Sequence, residues 1–158
     1  MSRFCWRMDS PVGWLTLCEE NGCLTNLIFG QIEMGEIPTC CTSVMERAQA
    51  QLNAYFAGQL RHFDLPLAPR GTDFQQQCWQ ALMEIPYGQT CTYGEQAVVI
   101  GKPKATRAVG MANHHNPLPI LIPCHRVVGK NGRLTGYAGG LSIKQFLLDM
   151  ESKAVCGS

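Results

Sequence analysis

The chain opens with alternating apolar and polar side chains, the pattern of β-strands that turn one face to a core. This alternation predicts short strands at Phe4–Met8, Trp14–Leu17 and Leu24–Phe29. Asn21 and Gly22 separate the last two strands and favour a tight hairpin, because both residues tolerate positive φ. The N-terminal region is therefore predicted to begin with a small β-sheet.

Apolar side chains then recur at helical spacing over residues 44–56, which predicts an amphipathic helix. Ser43 and Glu46 are expected to open it as a capping box, in which each side chain binds a backbone N–H of the first turn. Phe63–Leu67 is predicted as one more strand. The run Leu67–Gly71, which contains proline and glycine, is the expected linker.

Two more capping boxes, Thr72-x-x-Gln75 and Thr92-x-x-Glu95, open helices in the second half of the chain. Pro86-Tyr-Gly88 is expected to end the first of them. That helix would turn five side chains toward a core: Phe74, Cys78, Trp79, Leu82 and Ile85.

The helix that follows Thr92 is expected to stop at Gly101. Pro103 suits the first turn of the next helix, which is predicted over Lys104–Asn113. Two short helices joined by a tight turn are typical of a helix-turn-helix.

Ser142-x-x-Gln145 starts a last helix and completes an α+β fold, with a small sheet-and-helix domain and linker at 1–70 and a mainly helical domain at 71–158. With 158 residues, 46% of them hydrophobic, the chain can bury a substantial core. No apolar run approaches the roughly 20 residues of a membrane span, and the N-terminus lacks a secretory signal. The expected setting is intracellular and reducing, with no fused regulatory domain before the first strand.

The nine cysteines form an odd-numbered set without a Cys-x-x-Cys pair, so reduced thiols are the better interpretation. Cys5, Cys18 and Cys23 lie near the N-terminus with no histidine to complete a zinc site. No metal is predicted.

Charge is unevenly distributed, although the net charge is only +1. No Asp or Glu occurs from Gln96 to Leu148, and ten of the twelve acids precede Gln96. A basic C-terminal domain indicates a polyanion-binding surface, whereas a solvated charged face, the alternative, usually mixes both signs. The cations of this stretch are Lys102, Lys104, Arg107, Arg126, Lys130, Arg133 and Lys144.

The run Ile122-Pro-Cys-His-Arg-Val places a thiol beside an imidazole and a guanidinium. A thiol is nucleophilic only as thiolate, and neighbouring cations or a proton acceptor lower its pKa. Cys124, His125 and Arg126 therefore indicate a reactive cysteine. A Cys-His pair by itself is more often accidental than catalytic, so the flanking residues decide.

The flanks Asn116–Val128 and Thr135–Gly140, with Arg107–Gly110 and the helix Lys144–Glu151, resemble the active-site signature of the O6-alkylguanine-DNA alkyltransferases, also called methylated-DNA–protein-cysteine methyltransferases. The resemblance covers the C-terminal domain well and the N-terminal domain loosely. It implies a ribonuclease-H-like N-terminal domain and a DNA-binding, alkyl-transferring C-terminal domain. It also implies that O6-alkylguanine is flipped out of DNA and that its alkyl group moves irreversibly to Cys124, once per molecule.

This resemblance places the second helix of the helix-turn-helix in the minor groove. Arg107 would fill the gap left by the flipped nucleotide, and Lys104 with the backbone of Ala105 and Thr106 would contact phosphates. Tyr93 would crowd the phosphate behind that nucleotide and donate a hydrogen bond to the guanine ring. A surface arginine and an aromatic staple at the helix start are the alternatives.

The base slot is assigned by the same resemblance. The carbonyls of Cys124 and Val127 would accept from the guanine exocyclic amine, and the N–H of Ala138 would donate to O6. Tyr137 and Arg126 belong to the same DNA- or base-binding set, with the Arg126 side chain bound to structure or backbone carbonyls. Serine is common at position 138 of the family, so alanine there predicts an altered preference among bulkier alkyl groups.

In the implied chemistry Cys124 attacks the alkyl carbon and passes its proton to His125 through a water. Glu151 would hold the imidazole by its other nitrogen, with an exposed helix-end acid as the alternative. Asn116 would tie the recognition helix to the cysteine segment.

The implied partner is double-stranded DNA containing O6-alkylguanine, with O4-alkylthymine as a second candidate lesion. No cofactor and no membrane contact is predicted, and the protein is expected to be a monomer. It would be cytoplasmic and nucleoid-associated in a bacterium or archaeon, and nuclear in a eukaryote. The rival hypotheses are a non-catalytic alkyltransferase-like lesion-binding protein, a Cys-His hydrolase of small molecules and a helix-turn-helix transcription factor.

Overall fold

The computed structural model describes residues 2–156, and the chain divides between Arg70 and Gly71 into two compact units. The first unit contains an antiparallel sheet, as the alternating pattern predicted. Its strands, in spatial order, are β1 (Arg3–Met8), β2 (Leu15–Glu20) and β3 (Cys23–Phe29).

The hairpin between β2 and β3 turns at Asn21 and Gly22 with φ values of 53° and 82°. Both residues therefore adopt the left-handed conformation that an Asn-Gly pair favours, and the predicted hairpin is confirmed. Helix α1 (Ser43–Phe56) packs against β2 and buries Val44, Met45, Ala48, Leu52 and Tyr55.

The N-cap of α1 is Thr42, so the capping box predicted at Ser43 and Glu46 is wrong by one residue. Thr42 has an extended backbone and its hydroxyl accepts a hydrogen bond from the Met45 N–H at 3.4 Å. Ser43 is already helical, and an N-cap must stand just outside the helical conformation.

The strand predicted at Phe63–Leu67 is also wrong. Leu67 forms an isolated bridge with Leu24, made by the Leu24 N–H to the Pro66 carbonyl at 2.9 Å and the Ala68 N–H to the Leu24 carbonyl at 2.8 Å. Because Pro66 has no N–H to donate, this segment cannot extend the ladder on both sides.

In the second unit three helices pack pairwise: α2 (Asp73–Met83), α3 (Tyr93–Val99) and α4 (Thr106–His114). The capping boxes that begin with Thr72 and Thr92 are both confirmed. On α2 the predicted core residues Cys78, Trp79 and Leu82 are buried, while Phe74 and Ile85 are half-buried.

Helices α3 and α4 form the predicted helix-turn-helix, but α4 begins at Thr106 rather than Lys104. The Ala105 N–H bonds to the Lys102 carbonyl at 2.9 Å, which closes a separate turn. Pro103 lies in this turn and not in the first turn of the helix.

A buried pair of amides joins the two helices. Asn113 Nδ2 donates to Gln96 Oε1 at 2.7 Å, and Gln96 Nε2 donates to Asn113 Oδ1 at 3.0 Å and to the Cys78 carbonyl at 3.1 Å. The pair fixes α4 against α3 and α2.

Two short parallel strands, β4 (Cys91–Thr92) and β5 (Val127–Val128), link the start of α3 to the segment after Cys124. The last helix, α5 (Leu141–Cys156), packs against the 3-10 turn Cys124–Arg126. It begins one residue before Ser142, so Ser142 is within the helix, and Gln145 bonds instead to Asp149 at 2.7 Å. Within residues 2–156 no helix is long and apolar enough to span a membrane.

Candidate active site

Cys124 opens the 3-10 turn that follows Pro123 and is only 8% exposed. Asn116, just beyond α4, holds the preceding turn in place. Its Nδ2 donates to the Ile122 carbonyl at 2.9 Å, and its Oδ1 accepts from the Leu118 N–H at 3.0 Å. Asn116 thus connects the end of α4 to the cysteine segment.

Burial raises the pKa of the Cys124 thiol from 9.0 to about 11, against smaller lowering effects from a hydrogen bond with Asn116 and from the charge of Lys144. The sequence reasoning expected the adjacent His125 and Arg126 to lower this pKa, and that expectation is wrong. Desolvation of the thiolate outweighs the favourable contacts. The resting protein therefore holds a thiol.

Lys144 is the cation that acts on Cys124, and the sequence reasoning missed it as a site residue. It is 1% exposed and donates from Nζ to the Thr135 carbonyl at 3.2 Å. Burial lowers the pKa of Lys144, and Cys124 partly offsets that effect. Its position one turn before the buried Leu147 and two turns before Glu151 was the available signal, because that spacing puts all three on one helix face.

His125 and Glu151 form a fully buried pair. The His125 Nε2 lies 2.7 Å from Glu151 Oε2, and the two side chains are 0% and 1% exposed. This contact removes the alternative of an exposed acid at the helix end.

Burial would raise the pKa of Glu151, but hydrogen bonds and charges from His125 and Arg126 outweigh it and lower the pKa from 4.5 to about 2. Burial lowers the pKa of His125 despite Glu151. At neutral pH a neutral imidazole thus donates from Nε2 to a carboxylate, and this tautomer makes Nδ1 the basic nitrogen.

Arg126 is bound to the same carboxylate. Its Nε donates to Glu151 Oε1 at 2.9 Å, its Nη2 to Oε2 at 3.1 Å and its Nη1 to the Ile85 carbonyl at 2.8 Å. The guanidinium also lies 5.6 Å from the ring centroid of Tyr87. The prediction that this side chain binds structure or a backbone carbonyl is confirmed: it is buried and holds Glu151 and the Ile85 carbonyl, while its place in the DNA- or base-binding set stays a prediction.

The predicted DNA-facing residues lie around the start of α4. Lys104, Thr106 and Arg107 are exposed, and Ala105 is the half-buried N-cap without a side-chain cap. Tyr93, the first residue of α3, is half-buried.

A cavity of about 20 Å³ reaches the cysteine. Five of the predicted site residues line it: Tyr93, Asn116, Cys124, Tyr137 and Ala138. The other buried ones, His125, Val127 and Glu151, lie outside the lining, and so does the start of α4. A larger groove of about 550 Å³ between α2 and α3 does not include the thiol. The lining comprises Tyr93, Gly110, Asn113, His114, Asn116, Pro119, Cys124, Gly136, Tyr137 and Ala138.

Within the described residues no group of three or more His, Cys, Asp or Glu side chains is arranged to hold a metal ion. The nine cysteines are all free thiols.

Two family models match the chain. Residues 5–69 match the ribonuclease-like domain of 6-O-methylguanine DNA methyltransferase, and residues 73–153 match its DNA binding domain.

The chain is 53% identical over 148 residues to a methylated-DNA–protein-cysteine methyltransferase of Methanosarcina acetivorans, covering 90% of this chain and 94% of the relative. It is 52% identical to the protein of that name from Mycobacterium bovis, covering 91% of this chain and 89% of the relative. The crystal structure of Mycobacterium tuberculosis OGT in complex with DNA superposes with a TM-score of 0.89 at 50% identity, covering 96% of this chain and 94% of that one. On fold, sequence and site, the chain belongs to the 6-O-methylguanine DNA methyltransferase family.

Proposed function

We propose that this protein repairs double-stranded DNA by moving the alkyl group of O6-alkylguanine onto its own Cys124. One observation carries the proposal: a buried thiol, hydrogen-bonded to Asn116 and under the charge of Lys144, lines a slot that both helices of the helix-turn-helix help to form. Relatives at about half identity are named methylated-DNA–protein-cysteine methyltransferase, which favours transfer over lesion binding alone.

DNA is held by the second unit, residues 71–158, and the first unit, 1–70, has a structural role. Lys104 and the backbone at the start of α4 contact phosphates, and Arg107 enters the gap left by the flipped nucleotide. A base inside a duplex is beyond reach of a protein side chain, so flipping precedes chemistry. Tyr93 and the backbone of Val127 and Ala138 then bind the guanine in the slot.

In the transfer step a bond forms between the Cys124 sulfur and the alkyl carbon, and the bond from that carbon to O6 breaks. The thiol proton passes through a water to Nδ1 of His125, whose other nitrogen is held by Glu151. Because the thiol has a pKa of about 11, attack at neutral pH needs a base for the thiol proton, and His125 is that base. Guanine departs and takes up a proton in place of the alkyl group.

The thioether product is stable, so each molecule reacts once. The partner is DNA with O6-alkylguanine, and O4-alkylthymine is the second lesion to assay. A single chain contains every residue invoked, so we propose a monomer. Because its partner is DNA, we propose that it is located with the chromosome, in the cytoplasm of a prokaryote or the nucleus of a eukaryote.

The test is stoichiometric transfer of a labelled methyl group from O6-methylguanine DNA to the protein, located by peptide mass spectrometry. Cys124→Ala should abolish it, and Cys91→Ala, which removes another thiol with a pKa near 11, should not. DNA binding without any transfer would instead support the alkyltransferase-like alternative. Phosphate contacts also predict binding that weakens steeply with salt.

A further inference from the structure

Tyr93 lines the slot at Cys124 and is hydrogen-bonded to Thr135, the residue that precedes Gly136 of the same lining. The Tyr93 hydroxyl on α3 and the Thr135 hydroxyl on the loop before α5 lie 2.6 Å apart. The cavity that reaches Cys124 is about 20 Å³, which is room for about one water molecule. Sites for small ligands usually measure about 300 Å³ or more, so guanine cannot enter without movement.

Thr135 is held from two sides. Its carbonyl accepts a hydrogen bond from Lys144 on α5, while its side chain reaches Tyr93 on α3. The next residues include Gly136, Gly139 and Gly140, the last with a φ of 96°, so the backbone beyond Thr135 has few steric limits on its rearrangement. Release of the side-chain contact would free this loop from α3 while Lys144 still anchors the backbone to α5.

We propose that Thr135 is a specificity-determining residue, whose hydroxyl holds Tyr93 in the position that narrows the slot and so reserves Cys124 for bases delivered by bound DNA. The inference rests on the proposed function and adds a selection step to it. A free alkylated base has only its own contacts with which to displace Thr135 from Tyr93. A lesion in DNA adds the binding energy of the phosphates at α4, which lie outside the slot.

The consequence is discrimination between a lesion in DNA and the same base free in solution. A single hydrogen bond contributes about a five-fold effect on such an equilibrium. Thr135 therefore sets how well the protein reacts with free base more than how well it reacts with DNA.

The test compares Thr135→Val, which removes the hydroxyl, with Thr135→Ser, which keeps it. The backbone carbonyl that binds Lys144 is unchanged in both. The first readout is the rate of Cys124 alkylation by free O6-benzylguanine, relative to the rate with O6-methylguanine DNA. We expect Thr135→Val to raise the free-base rate and this ratio about five-fold, and Thr135→Ser to match the parent protein.

The second readout needs no repair activity: iodoacetamide modification of Cys124, followed by peptide mass spectrometry with the Cys91 peptide as internal reference. Thr135→Val should increase modification at Cys124 and leave Cys91 unchanged. Parent-like rates in both readouts for a folded Thr135→Val would overturn the proposal, and Thr135→Ala replaces it if that variant does not fold. If no variant accepts an alkyl group from DNA, the proposed function fails, while iodoacetamide still decides whether Thr135 closes the slot.

Discussion

Replacement of Glu151 by glutamine removes the one charge that two buried side chains share. The carboxylate accepts from His125 at 2.7 Å and from Arg126 at 2.9 and 3.1 Å, and the Gly88 N–H lies 3.4 Å from its Oε1. In Glu151→Gln an amide NH2 group must face donors of Arg126 or His125. The guanidinium keeps its charge and stays buried without a counter-ion.

Two independent arguments give the size of the effect on stability. A carboxyl pKa lowered from 4.5 to about 2 corresponds to about 3 kcal/mol in favour of the ionised folded form. Breaking a buried ion pair by removing one partner costs about 3–5 kcal/mol. Solvent screens this ion pair little, because the Glu151 side chain is 1% exposed and the Arg126 side chain 9%.

Urea unfolding of Glu151→Gln, followed by tryptophan fluorescence, should therefore show a loss of about 3 kcal/mol in the free energy of unfolding. Asp149→Asn is the matched control, since it removes an exposed carboxylate two positions earlier on α5 and should change stability by less than about 0.5 kcal/mol. Transfer by the folded variant should slow by roughly 100-fold, because His125 loses its fixed tautomer. A stability loss within about 1 kcal/mol, the range of exposed pairs, would refute the assigned role of the network.

Three further predictions concern the same unit. Iodoacetamide modification of Cys124 in the free protein should rise about ten-fold per pH unit up to a pH of about 11, and a plateau below pH 9 would contradict the raised pKa of the thiol. Stability should fall as pH drops below 6.5, because His125 is protonated in the unfolded chain before it is protonated in the folded one. It should fall again between pH 4.5 and about 2, because the Glu151 carboxyl is protonated in the unfolded chain first. Urea unfolding at pH 7, 5 and 3 measures both losses. Asn113→Leu should cost about 1–3 kcal/mol by leaving the buried Gln96 Oε1 without its donor. Addition of Gln96→Leu should recover part of this loss in thermal unfolding, whereas an additive double variant would argue against the pairing.

The elements predicted correctly from the sequence depend on neighbouring residues. Thr72 and Thr92 cap their helices through side chains three positions away, and Asn21-Gly22 turns the hairpin through its own φ preferences. The errors occurred where local signals compete. Thr42 and Ser43 are both good N-caps, and Phe63–Leu67 has strand composition but lacks the donor at Pro66.

The amino-acid sequence by itself indicated the helix-turn-helix, through capping residues and a turn at fixed spacings, and the family, through a long motif around Cys124. The roles of Cys124, His125 and Glu151 in transfer are implied by the resemblance to that family. The tertiary structure alone decided the protonation state of Cys124, because burial depends on segments far apart in the chain. It also decided that Arg126 binds Glu151, that Lys144 is the cation acting on the thiol, and that Thr135 contacts Tyr93 across 42 positions. The local sequence pattern predicts which ionisable side chains are present. Their desolvation and their hydrogen-bond or ion-pair partners depend on which residues surround them in the folded protein.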